Sequence, residues 1–222
     1  MNDQPSRAAF LQAGGKSSRM GENKAFINFQ GETLLARALA TLRAACHEVT
    51  IVGDPAIFAP HAPVISDIFP NCGPLAGIHS ALAHSPAELN LILAVDMPFV
   101  TANLLQFLFD AAASTTAIIT VPRTARGLQP LCAVYRPAFA PNADEAIRAG
   151  NYKIDAAFAH IPLRILDQPE LTAAGFSEDN FFNLNTPADR LAAAAFRWPD
   201  HPMTRSRPLF RHNPRSCSAS RA

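Results

Sequence analysis

No stretch of this chain approaches the ~20 consecutive apolar residues that a membrane-spanning helix requires, and runs such as residues 91–95 stop far short. The first residues include Asn2, Asp3 and Gln4, where a secretion signal would place cations followed by an apolar stretch. No membrane association is therefore expected, and the expected location is cytoplasmic. Cysteine is scarce and scattered. Cys46, Cys72, Cys132 and Cys217 form no Cys-x-x-Cys pair and have no histidine at metal-ligand spacing, which argues against a zinc site and a disulfide framework alike. Cys72, beside a Gly-Pro loop, reads as a small packing residue. Among the seven histidines, His79 and His84 included, none belongs to a nucleophile triad or a His–Glu metal pattern. No internal repeat or interior linker is visible.

What is present suffices for one substantial core, since 49% of the 222 residues are hydrophobic. The formal charge of +1 conceals an asymmetry. Residues 197–222 carry six Arg against one Asp, a local charge of +5, which leaves 13 basic and 17 acidic residues, or −4, upstream. That end is rich in Pro, Ser and Arg and lacks apolar periodicity. Residues 1–196 are therefore expected to form the domain, and residues 197–222 a disordered basic tail. The tail has the charge to touch nucleic acid or an acidic partner, but a short Arg-rich end is more often a solvated extension, and no nucleic-acid role is assigned.

Through the body, short apolar runs alternate with helical patterns. Strands are predicted at residues 8–11, 49–52, 91–95, 117–121, 131–134 and 161–166. Leu34, Leu35, Ala38, Leu39 and Leu42 recur at helical spacing, as do Leu104, Leu105, Leu108 and Phe109 after Asn103, which lies in a plausible N-cap neighbourhood. An Ala-rich helix is predicted after Pro187. The alternation implies an α/β fold, a single three-layer α/β/α domain with a mostly parallel, Rossmann-like sheet. In such sheets ligands collect beyond the carboxyl ends of the strands.

The most informative segment lies there. Gln12-Ala13-Gly14-Gly15-Lys16-Ser17-Ser18-Arg19-Met20-Gly21-Glu22-Asn23 runs from the first predicted strand into Lys24. Glycine lets main-chain amides approach an anion where a Cβ would clash, and successive amides in a turn form a concavity of positive partial charge. Arg19 adds a planar fork and Lys24 a mobile point charge. The segment is neither a Walker loop nor a dinucleotide fingerprint, because the Gly spacings of both are missing. For the glycines taken alone, a Gly/Ser-rich surface turn is the competing reading.

The run Leu91-Ile92-Leu93-Ala94-Val95 delivers Asp96 to a strand tip, and Pro98 stops the ladder. Alone, Asp96 would read as a turn former or a helix cap. With a phosphate cradle on the same sheet it reads as a Mg²⁺ ligand, because that cation takes one or two carboxylates and completes its shell with phosphate and water. Asp67 ends another short strand-like run, with a surface Asp as the alternative. Gly73-Pro74-Leu75-Ala76-Gly77 reads as a turn entering a helix with a small-residue face. In Asn183-Leu184-Asn185 alternation puts both amides on one side, where they can grip a phosphate, although Asn185 and Thr186 could equally cap the next helix.

The glycine run resembles the nucleotide-binding signature of the molybdenum cofactor guanylyltransferases, approximately Leu-Ala-Gly-Gly-x-Ser-x-Arg-Met-Gly-x-Asp-Lys. Gln12 replaces an apolar residue and Asn23 the Asp before Lys24. Val95-Asp96-Met97-Pro98 is similar to the family's metal-binding motif, Gly73-Pro74-Leu75-Ala76-Gly77 to a second segment, Pro130-Leu131-Cys132-Ala133-Val134-Tyr135-Arg136 to a strand in the half facing the second substrate, and Asn183-Leu184-Asn185-Thr186-Pro187-Ala188-Asp189 to a motif near the end. The resemblance spans residues 8 to 196. It implies the nucleotide-diphospho-sugar transferase-like fold and transfer of GMP from GTP to the phosphate of molybdenum-molybdopterin, releasing pyrophosphate. Implied roles are catalytic for Arg19, Lys24 and Asp96, and nucleotide- or substrate-binding for Gln12, Ala13, Gly14, Gly15, Lys24, Asp67, Asp96, Asn183 and Asn185. Asp96 would hold Mg²⁺, with Mn²⁺ as a substitute. The attacking phosphate is already anionic, so no general base is required. Molybdenum-insertion proteins and recipient molybdoenzymes are the implied partners, and a monomer is expected. Two rivals stay open: a cytidylyl or sugar-phosphate nucleotidyltransferase, against which the paired Gly14-Gly15 speaks, and a non-catalytic nucleotide-binding or partner-docking protein.

Overall fold

The computed structural model describes residues 5–14 and 23–186, together with 188, 189, 191 and 193. Gly15, Arg19, the basic tail and most of the predicted helix after Pro187 lie outside the described residues.

Each apolar run predicted as a strand is one. In chain order the strands are β1 (Arg7–Gln12), β2 (Asn28–Phe29), β3 (Glu32–Thr33), β4 (Val49–Val52), β5 (Val64–Ile65), β6 (Leu89–Ala94), β7 (Ile119–Thr124), β8 (Gly127–Leu128), β9 (Cys132–Tyr135) and β10 (Leu163–Leu166). The main sheet runs β10-β7-β9-β6-β1-β4-β5, with β8 paired to β7, while β2 and β3 form a separate hairpin. Strands β6, β1, β4 and β5 are mutually parallel, and β10 is parallel to β7; β9 is antiparallel to both of its neighbours. The mostly parallel sheet expected from the sequence is present, with β9 reversed in its middle.

Helices α1 (Leu34–Ala45), α2 (Pro55–Phe58), α3 (Pro74–His84), α4 (Ala102–Ala113), α5 (Ala140–Arg148) and α6 (Gln168–Ala173) complete the described fold. Alternation along β1 divides the core between the two faces. Ala9 and Leu11 join the cluster that includes Leu35 of α1 and Leu105 of α4, whereas Ala8 and Phe10 join Ile78 of α3 and Ile147 of α5. Burial on both faces accounts for the near-continuous apolar composition of β1 and β6. The cap of α4 is Thr101, whose hydroxyl accepts from Leu104 N at 3.2 Å, two residues before the Asn103 indicated by the sequence. Among the described residues, no helix is long and apolar enough to cross a membrane.

Candidate active site

Parallel pairing brings the carboxyl ends of β6, β1, β4 and β5 to one edge, and because β9 runs the other way, its beginning joins them there. Ala94 N donates to Leu131 O at 2.8 Å across that junction. Two hollows open on this edge. The larger, about 840 Å³, is lined by residues including Gly14, Gly53, Phe58, Asp67, Asn71 and Gly77; the smaller, about 220 Å³, by residues including Gly14, Asn23, Lys24, Asp96 and Leu131. Gln12, Ala13 and Gly14 border both.

Lys24 lines the smaller hollow. Its ammonium donates to Asp96 Oδ2 at 3.2 Å and to Asn185 Oδ1 at 2.8 Å, joining three residues far apart in the chain. The backbone around each is held separately. Asn23 caps the short 3-10 turn Lys24–Phe26 by accepting from Ala25 N at 3.1 Å. A neutral amide performs that capping as a carboxylate would, so the departure at Asn23 leaves the local geometry of Lys24 intact. Asp96 follows β6, and its carbonyl accepts from Leu184 N at 2.8 Å, which docks the segment carrying Asn185 beside it. Leu184 is buried in the core and anchors that segment. Asp189 accepts from the backbone N–H groups of Asn185 and Thr186 at 2.9 and 2.7 Å, while Thr186 Oγ1 accepts from Asp189 N at 3.1 Å. These bonds hold the Asp189 carboxyl below the usual carboxylate range. The sequence left Asn185 either gripping a ligand together with Asn183 or capping the next helix together with Thr186. The structure separates them: Thr186 caps, and Asn185 reaches Lys24.

Other predicted residues stand as follows. Gln12 Nε2 donates to Pro74 O at 3.1 Å, and a Cβ on Gly77 would come within 2.9 Å of its amide, so the small face of α3 receives this side chain. Ala13 N and Gly14 N both donate to Val52 O, at 3.1 and 3.2 Å. Those two amides are committed to the end of β4, a correction to their expected role as free donors to phosphate; the rest of that cradle lies outside the described residues. Asn183 Oδ1 is buried without a hydrogen-bond partner, as is Asp67 Oδ1. Burial also pushes the Asp67 carboxyl above its ordinary range. The strand expected to face a second substrate turns its Tyr and Arg inward: the Tyr135 hydroxyl donates to Pro130 O at 2.7 Å, and Arg136 donates to the carbonyls of Ala117, Ala112 and Thr115. Of that segment, Leu131 borders the smaller hollow. Cys72 packs partly buried against the core, as a small hydrophobe does. The sequence reading missed Gly53 and Phe58 on the cleft wall, although the rule that pointed to Asp96 applies equally to the end of β4. A Cβ at Gly53 would lie 2.9 Å from the Phe58 ring, so the glycine makes room for it.

Among the described residues no group of three or more His, Cys, Asp or Glu is placed to cage a metal. The donor set near Asp96 is one carboxylate with amide oxygen nearby. That suits a hard cation which draws most of its ligands from substrate phosphate and water, and suits Zn²⁺ poorly.

With an ammonium and a carboxylate converging at the carboxyl edge of a parallel sheet, beside a cleft of nucleoside size, the chain falls in the nucleotide-handling α/β class. Residues 9–162 match the family model described as MobA-like NTP transferase domain, and the chain belongs to that family of nucleotidyltransferases. It is 32% identical over 185 residues to the probable molybdenum cofactor guanylyltransferase of Pelotomaculum thermopropionicum, covering 82% of this chain and 89% of that protein. The molybdenum cofactor guanylyltransferase of Desulfosudis oleivorans is 28% identical over 83% of this chain and 93% of its own length. Among solved structures, molybdopterin-guanine dinucleotide biosynthesis protein A from Archaeoglobus fulgidus superposes with a TM-score of 0.75 at 25% identity, covering 85% of this chain and 96% of that one. A cytidylyltransferase from Thermus thermophilus shares the fold, with a TM-score of 0.64 at 20% identity.

Proposed function

We propose that this protein transfers GMP from GTP to the terminal phosphate of molybdenum-molybdopterin, forming the guanine dinucleotide cofactor and releasing pyrophosphate. The observation that carries the reading is the meeting of Lys24, Asp96 and Asn185 at one edge of the sheet, beside the larger cleft. The names of the relatives supply the identity of the nucleotide and its acceptor.

In this reading the nucleoside occupies the larger cleft, where the unpartnered Asp67 oxygen accepts from it, and the triphosphate extends toward Lys24. The ammonium of Lys24 follows charge onto the departing pyrophosphate, and Arg19 adds a planar fork to the same oxygens. Asn183 and Asn185 orient the acceptor, whose phosphate attacks the α-phosphorus as the bond to the β,γ-unit breaks. The attacking oxygen is already ionised, so the chain has no proton to remove, and positioning with charge neutralisation is its contribution. Asp96 would hold Mg²⁺, or Mn²⁺ in its place, which when bound neutralises phosphate charge. A cytoplasmic monomer that hands its product to recipient molybdoenzymes completes the reading.

The test is incubation with molybdenum-loaded molybdopterin, Mg²⁺ and each nucleoside triphosphate separately. Dinucleotide and pyrophosphate are expected from GTP. A cytidine dinucleotide would replace the reading with the cytidylyl alternative, and nucleotide binding without pyrophosphate release would point to a non-catalytic protein.

A further inference from the structure

Asp67 poses a mechanical problem. A carboxylate oxygen kept free for a ligand cannot be oriented by its own hydrogen bonds, and Asp67 Oδ1 is buried with no partner. Its position must come from the backbone that carries it. That backbone, residues 66–73, is a wall of the larger cleft between β5 and α3 and belongs to no helix or strand.

What holds the wall lies on its far side. Ile68 N donates to Ser80 Oγ at 2.8 Å, and that hydroxyl donates to Ala76 O at 2.8 Å, which ties the residue next to Asp67 to α3. Phe69, absent from the cleft lining, packs instead against the core between α3 and α5. Its ring centroid is 5.1 Å from that of His79, and the Arg148 guanidinium stands 5.2 Å from it. Arg148 is oriented by two bonds to Asp144, at 2.6 and 3.2 Å, and the same carboxylate lies 3.7 Å from His79 Nε2. The two residues that follow Asp67 are thereby set: α3 holds Ile68 through its amide, and the Phe69 ring is trapped by groups from two helices.

We propose that Phe69, with Ser80, His79, Asp144 and Arg148 around it, positions the Asp67 wall for the nucleoside half of the substrate. None of the five touches the reacting phosphates in this arrangement; they act through the wall. The proposal rests on the reading that the nucleoside occupies the larger cleft. It predicts a division of labour, because phosphate recognition at Lys24 belongs to the other hollow.

The experiment compares GTP with inorganic tripolyphosphate, both in the presence of Mg²⁺, by calorimetry on the full chain and on Asp67→Asn, Phe69→Ala, Ser80→Ala and Arg148→Met. Phe69→Ala should weaken GTP about tenfold, as loss of a peg lets the wall sample other positions. Ser80→Ala and Arg148→Met should weaken it about threefold, the scale of a single hydrogen bond or an exposed cation–ring contact. Tripolyphosphate affinity should stay within about twofold in all, and KM for GTP should rise while kcat at saturation holds. Should Phe69→Ala not fold, the two milder variants carry the test. If Asp67→Asn weakens GTP while the wall variants bind it normally, the positioning role is overturned. Equal weakening of GTP and tripolyphosphate overturns it too, since that marks general destabilisation. Normal GTP binding by Asp67→Asn removes the underlying reading of the cleft, and the proposal with it.

Discussion

Asp67 and Asp96 each stand two residues beyond a strand of one sheet, after β5 and β6, yet their surroundings are opposite. Asp96 faces the Lys24 ammonium, whereas Asp67 has an oxygen buried without a donor. The difference dictates different outcomes for the same chemical change. In Asp96→Asn the strand keeps its packing, but the charge that competes with water for a hard cation is gone. The variant should fold normally and lose most guanylyl transfer, recovering part of it at raised Mg²⁺; pyrophosphate release against Mg²⁺ concentration measures this. GTP binding without Mg²⁺ should hold or improve, because Lys24 is released to the triphosphate. Identical Mg²⁺ curves for the two proteins would make Asp96 a turn residue. For Asp67 the folded protein holds the carboxyl pKa above its unfolded value of ~3.9. The folded state therefore binds more protons between those two values, so stability falls as pH rises through that window and stays lower above it. Asp67→Asn should melt higher than the parent at pH 7, with the difference vanishing below the unfolded pKa, while GTP affinity drops. Thermal melts across pH decide the first half, and equal melting temperatures at pH 7 would contradict it.

At the scale of elements, the reversal of β9 has the largest consequences. Running against β6, it brings Leu131 to the ligand edge and carries Tyr135 and Arg136 away from it. Both side chains become structural: one hydroxyl and one guanidinium donate to backbone carbonyls of neighbouring segments. Tyr135→Phe leaves the Pro130 carbonyl without that donor and should cost about 1 kcal/mol, a drop in melting temperature of about 2–4 °C for a domain this size. The kcat and KM for GTP should not change, and a selective loss of turnover would return Tyr135 to the site. The small face of α3 shows how a departure from the family pattern is absorbed. Gln12 stands where the resembled signature has an apolar residue, and Gly77 with the Pro74 carbonyl accommodates its amide.

At the scale of the whole molecule, the basic end, residues 197–222, stands apart with its six Arg and one Asp. Among the described residues, the core cluster that carries Leu184 extends to Ala193. A chain ending at Phe196 should therefore fold and keep its guanylyl-transfer rate, since the composition of residues 197–222 supports no core of its own. Loss of turnover in a truncated protein with an unchanged melting curve would assign the tail a substrate contact.

The strand positions, the delivery of Asp96 to a strand tip and the glycine-rich exit from β1 were legible in the sequence by itself. Apolar runs, period-two alternation and turn residues act over a few neighbouring positions, so their signals survive in one dimension. Short helices such as α2 and α6 were not legible, being too brief to display a period. Only the tertiary structure decided that Lys24 would pair with Asn185, 161 positions away, that Val52 would occupy the amides of Ala13 and Gly14, and that Asp67 would be left without a donor. Those outcomes depend on strand order. Which strand ends become neighbours is set by how the two faces of the sheet bury their helices, a property of the assembled core that no local pattern encodes.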